Sequence, residues 1–231
     1  MDIWTSYHGV NLWREAGGTA YGYVTTHMEI DADGAPNAYH PDNTGLDALA
    51  NAGYPNGGWT SVLAVDPHRP GHPYVQPPGS PFAGYFVSRT SLQDTTLPDI
   101  DTARYVDASQ VPYLVFPGAF HKLAGTGTTG DLVVCKALDS GLTCAAIVAD
   151  IGPRDAPLGE VSIALAARLG GRHPNPRTGA GKPHGPVKYV VFPGSRGKPA
   201  WPLTPTELDR RAHERLEAAG GWARFDAIPA H

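Results

Sequence analysis

What the 231-residue chain lacks narrows its reading first. It has no run of 18 apolar residues, so no membrane-spanning helix is expected. Its opening, MDIWTSYHGV, carries neither a basic n-region nor an apolar h-region, and no signal peptide is visible. The serine elbow G-x-S-x-G, the P-loop and the dinucleotide glycine fingerprint are all absent. That removes the common hydrolase-elbow and nucleotide-binding readings. Cysteine is scarce: only Cys135 and Cys144, with no second close pair to complete a zinc site. DADG at 31–34 resembles the start of a calcium loop but lacks the later acids of that loop. His68 and His72 stand in a proline-rich stretch without matching ligands. No metal and no cofactor are expected.

Neither sign of charge dominates overall, since the net charge is −4, but the halves differ. Residues 1–160 carry 17 acids against 7 bases, whereas 161–231 carry 5 against 11. An acidic field attracts a cationic substrate and repels nucleic acid. Most single acids of this kind simply solvate loops.

What the chain has in quantity is glycine (28) and proline (23), roughly a fifth of the residues, set between apolar runs. This pattern reads as many short strands and turns. Strands are expected at 21–30, 58–65, 83–90, 111–118, 130–138, 142–150 and 187–194. Helices are expected at 46–53, 160–169 and 204–221. The last has Thr204 as N-cap, Pro205 at the first position, Glu207 completing a capping box and Gly220 as the stop. Residues 1–20 give no clear signal, and 66–81 hold six prolines in an extended loop. If the LDSG turn centres on Asp139–Ser140, the two cysteines face each other across a hairpin. A disulfide there would close a short loop of little entropic value; two small core thiols fit equally. YLVFPG at 113–118 returns as YVVFPG at 189–194, as repeated strand–turn chemistry or as two similar halves of a barrel. The expected fold is mainly β: one domain, 1–231, with a six-stranded closed core and few helices.

Two acids stand out. Asp150 ends the apolar run 145–149, where lost solvation raises a carboxyl's pKa. Glu160 stands in the first turn of the expected helix 160–169 or just before it, where the helix dipole would keep its pKa low. An Asp at a strand end also caps turns, and a Glu at a helix start is ordinary. Together, one protonated and one ionised carboxyl are what glycoside hydrolysis requires.

Five blocks in matching order carry a resemblance: DADGAPNAYHPDNTGLDALANAGYP (31–55), GDLVV (130–134), AIVADIGP ending at 153, GEVSIALAARLG (159–170) and VVFPGS (190–195). Over roughly residues 20–196 they resemble glycoside hydrolase family 75, the fungal-type chitosanases. The resemblance implies an endo-acting, inverting hydrolase of β-1,4-linked glucosamine polymers, secreted, with Asp150 and Glu160 as its essential acids. ADIGP with GEVSIALAARLG also resembles a segment of double-psi β-barrels such as expansins and lytic transglycosylases. The basic residues 197–231 lie outside the likeness.

On this reading the partner is cationic chitosan, with no nucleic acid, no membrane and a monomeric chain. Asp31, Asp33 and Asp42 are the candidate ammonium partners, in a salt-sensitive way. Tyr39 and Trp59 are candidates to stack on sugar faces. Residues of these five kinds are more often plain loop structure than ligand contacts. Asp150 is expected as general acid and Glu160 as base, 6.5–9.5 Å apart in an inverting site. The roles could be exchanged, or Asp31 could be the base with Glu160 assisting. Rival functions are hydrolysis of another amino-sugar polymer such as cell-wall glycan, and non-catalytic polysaccharide binding.

Overall fold

The long apolar runs form strands buried on both faces. In the computed structural model, which describes residues 1–230, nine strands make one mixed sheet. They are β1 (Asp2–Tyr7), β2 (Val10–Arg14), β3 (Tyr21–Thr25), β4 (Glu29–Asp31), β5 (Tyr113–Pro117), β6 (Leu132–Ala137), β7 (Thr143–Gly152), β8 (Glu160–Ser162) and β9 (Val187–Phe192). Their order is β1-β2-β3-β9-β6-β7-β5-β8-β4. Neighbours run antiparallel except β5 with β7 and β4 with β8, which are parallel. The helices are α1 (Gly118–His121), α2 (Ile163–Arg168), α3 (Pro205–Ala218) and α4 (Gly221–Phe225).

Period-two alternation divides the central strands between two cores. Tyr113, Val115, Leu132, Val134, Ile147 and Ala149 face one, which α3 and the loops between β4 and β5 cover. Leu114, Phe116, Val133, Cys135, Ala146 and Val148 face the other, which β1–β3, α1 and α2 cover. A strand covered on both sides reads as a continuous apolar run, which is why these were legible.

The sheet has nine strands rather than six, and its hydrogen-bonded order is open, with β1 and β4 at the ends. The unexpected β1–β2 hairpin lacks clean alternation because it is half-exposed; Arg14 lies 3.9 Å over the ring of Trp4. The expected strand 21–30 breaks into β3 and β4. In place of strands, segment 58–65 begins with a 3-10 turn at Trp59–Ser61, and it and 83–90 pair only through isolated bridges, Leu63 to Ser88, Val65 to Pro73 and Val75 to Phe86. The prolines between them remove the donors a ladder needs. Residues 46–53 form successive turns, not a helix.

The segment 160–169 begins as a strand. Ser162, not Glu160, caps the helix: its side chain accepts from the Leu165 amide. The expectation for α3 holds in detail, with the Thr204–Glu207 capping box and Pro205 at its start. Cys135 and Cys144 are direct cross-strand partners, and both thiols are free and buried.

Candidate functional site

β4, β7 and β8 each deliver a carboxyl to one cleft. Asp31 is the last residue of β4, Asp150 lies near the end of β7, and Glu160 opens β8 opposite Glu29 of β4. The cleft has a volume of about 600 Å³. Glu29, Asp31, Asp33, Asp47, Asp150 and Glu160 line it, against a single cationic side chain, Lys182. One wall belongs to the segment carrying Pro176, Gly179 and Lys182. Arg177 straps that wall to the 43–47 loop, donating to the carbonyls of Gly45 (3.0 Å) and Asp47 (3.1 Å).

Two glycines make the convergence possible. A Cβ on Gly152 would sit 2.9 Å from Glu160 Oε2, so the glycine of ADIGP leaves the space this carboxylate occupies. Gly159 has φ +118° and lies so close to the His27 carbonyl that a side chain would collide with it. This lets Glu29 N donate to Gly159 O and sets β8 beside β4.

The acids sit in unlike surroundings. Asp150 Oδ1 accepts three donors: Ser91 N (2.9 Å), Ser91 Oγ (2.5 Å) and Ile151 N (2.8 Å). Burial raises its pKa, and these bonds, with Arg89 nearby, pull it only part of the way back. No hydrogen bond of the described residues ends on the Glu160 carboxylate. Burial, and then Asp31, Glu29, Asp150 and Asp47, hold it well above the usual carboxylate range. The low pKa expected for Glu160 is therefore corrected: it stands in a strand among acids, and the helix dipole begins two residues later, at Ser162.

Asp31 and Asp33 form a second layer. Asp31 Oδ1 accepts from Asp33 N (2.8 Å), and Oδ2 lies 2.9 Å from Tyr113 Oη. The same hydroxyl lies 2.9 Å from the Asp33 carbonyl. Burial first, then Asp150, raise Asp31 to about 7, against the pull of the Asp33 amide and the Tyr113 hydroxyl. Asp33 Oδ1 receives Tyr39 Oη (2.8 Å) and Ser88 Oγ (3.2 Å). Burial, then Asp31 and Asp150, push Asp33 well up. Asp47, held by Ala48 N (2.7 Å) and Asn51 Nδ2 (2.8 Å), is raised mainly by burial. One oxygen each of Asp31, Asp33 and Asp150 lies within 4.8 Å of the others. That spacing suits a hard cation; protons or an ammonium group neutralise the same set, and we assign no metal to it.

Of the residues singled out from sequence, Asp31, Asp33, Tyr39, Asp150 and Glu160 meet at the cleft. Asp42 does not: it is exposed beside His40, 3.9 Å away. Trp59 does not either: it is buried edge-on against Tyr54 at 6.1 Å. Tyr39 contributes its hydroxyl rather than a stacking face, because its ring is buried. Sequence reading missed Ser91, Tyr113 and Lys182. Tyr113 opens the repeated YLVFPG and so had a signal. Ser91 had none.

No protein-family model matches the chain, and no curated protein matches it in sequence.

Proposed function

We propose that the chain is an endo-acting glycoside hydrolase of the family 75 type, cleaving β-1,4-linked glucosamine polymers by inversion, without a cofactor. The observation that carries this reading is the cleft with six acids and one lysine, in which Asp150 Oδ1 takes three donors while no donor of the described residues reaches the Glu160 carboxylate. An ammonium-bearing sugar neutralises such a cleft. The donor pattern favours an exchange of the roles first expected. Glu160, kept protonated, gives its proton to the glycosidic oxygen as the bond to the anomeric carbon breaks. Asp150, the more readily ionised of the two, takes a proton from the water whose oxygen bonds that carbon from the opposite face. One water is consumed, and solvent returns the proton from Asp150 to Glu160.

Strands β4 to β9 form the contiguous part β9-β6-β7-β5-β8-β4 of the sheet. We read these six as the counterpart of a double-psi core, with the two VFPG strands, β5 and β9, flanking the β6–β7 hairpin. The enzyme is read as a monomer acting outside the cell.

Lys182 favours a second reading. A lysine in an acidic cleft suits a sugar bearing a carboxylate or a neutral amide at one subsite, as in cell-wall glycan. Release of reducing ends from chitosan, chitin and peptidoglycan separates the two. Release from chitosan above the others supports the first, release from peptidoglycan alone the second, and binding without release a non-catalytic module.

A further inference from the structure

The segment Ser88–Leu92, SRTSL, threads between the loop bearing Asp33 and the strand bearing Asp150. Ser88 Oγ donates to Asp33 Oδ1 at 3.2 Å and accepts from Gly34 N at 3.1 Å. Thr90 Oγ1 donates to Leu92 O (2.6 Å) and accepts from Val106 N (3.0 Å). Leu92 N donates to Ala149 O, one residue before Asp150. Arg89 is fixed through its amide to Val62 O and its guanidinium to Thr60 O. Ser88, Thr90 and Leu92 are buried, whereas Ser91 between them is exposed on the cleft wall. An exposed serine locked by both neighbours has little conformational freedom left to lose. Its amide and hydroxyl both point at one oxygen, Asp150 Oδ1.

We propose that Ser91 is a positioning residue, which fixes Asp150 Oδ1 from two sides so that Oδ2 alone is presented to the water and sugar in the cleft. The proposal rests on the hydrolase reading for its catalytic meaning, while the hold on Asp150 is a property of the fold itself. A charge-assisted O–H to carboxylate bond of 2.5 Å is among the stronger kinds available to a side chain. The other charged or titratable groups facing Asp150 are Arg89 on the same segment, Asp31 of β4, Asp33 after it, Tyr113 of β5 and Glu160 of β8. Of these only Arg89 favours the anion, so the hydroxyl of Ser91 has few substitutes.

The test compares Ser91→Ala, Ser91→Thr and Ser88→Ala in the full chain. The side-chain carboxyl of Asp150 is followed by ¹³C NMR titration, with Asp150→Asn to assign its signal. Kinetics on glucosamine oligomers run alongside. Ser91→Ala should raise the Asp150 midpoint by about one pH unit, the bonds from the Ser91 and Ile151 amides remaining. It should lower kcat about tenfold with KM little changed, and move the acid limb of the kcat profile upward by the same pH interval. Ser91→Thr should restore both, and Ser88→Ala should leave the Asp150 midpoint in place. An unmoved midpoint in Ser91→Ala overturns the proposal, as does a fall in kcat accompanied only by lost thermal stability. If the midpoint moves but the wild-type chain cleaves none of the polymers, the hold of Ser91 on Asp150 stands and the hydrolase reading falls.

Discussion

Asp150 and Glu160 reach the same cleft from strands separated only by β5, yet the chain around them does opposite things. Around Asp150 it gathers two backbone amides and a hydroxyl on one oxygen. Around Glu160 it gathers Asp31, Glu29, Asp150 and Asp47 and offers no donor. Burial raises both pKa values; the hydrogen bonds decide which carboxyl gives up its proton first. The fold thus sets two chemically similar side chains at different proton affinities by distributing backbone N–H groups unevenly.

Removing either carboxyl is the largest blow to this asymmetry. Glu160→Gln and Asp150→Asn should each cut turnover on chitosan by roughly 10²–10⁴. They should differ in stability. At pH 8, Glu160→Gln relieves like-charge repulsion and should hold or raise Tm. Asp150→Asn weakens three charge-assisted bonds and should lower it. The same sign in both, measured by calorimetry, would erase the distinction between the two sites.

The pH dependence of stability is the next effect in size. Asp31, Asp33 and Glu160 all have folded-state pKa values above the ordinary carboxylate range, so the folded chain binds more protons than the unfolded one. Stability is therefore fully present below the unfolded carboxylate pKa values. It falls as pH rises from there through about 7, where Asp31 ionises. Every pH unit by which a carboxyl is raised costs about 1.4 kcal/mol once it ionises. Tm should drop between pH 5 and about 8, and Asp31→Asn should flatten that drop; a Tm that climbs over the same interval contradicts the protonated acid layer.

Tyr113→Phe is a smaller perturbation. It takes away the hydroxyl linking Asp31 Oδ2 to the Asp33 carbonyl and leaves a buried carbonyl without its partner. A loss of about 1–3 kcal/mol in denaturant unfolding is expected. Asp42→Asn is the smallest, since Asp42 lies away from the cleft. Stability should stay within about 0.5 kcal/mol and KM for chitosan should not change.

The strands β5, β6, β7 and β9 were legible because burial on both faces leaves no polar interruption in the sequence. The start of α3 was legible because a capping box is local chemistry. The region 58–90 was not, for its apolar residues pack without a ladder and the intervening prolines leave only single bridges. Glu160 shows how a correct residue can be given a wrong environment. The apolar pattern of 160–169 suits a helix, but Ser162 is the better cap, and the strand before it was too short to read. Asp31, Asp33 and Asp42 share one loop sequence and looked alike. Only the fold turns the first two toward Asp150 and the third to solvent. Ser91, whose partner is 59 residues away, has no local mark at all.

Hydrolysis of a glucosamine hexamer followed by ¹H NMR tests the assignment of Glu160 and Asp150 most directly, because it reads bond cleavage and the anomer formed at once. Inversion at a β-linkage predicts new reducing ends that appear first as the α-anomer, with none from Glu160→Gln. Products appearing first as the β-anomer would contradict the single displacement by water, and a wild-type chain that releases no reducing ends would contradict the hydrolase itself.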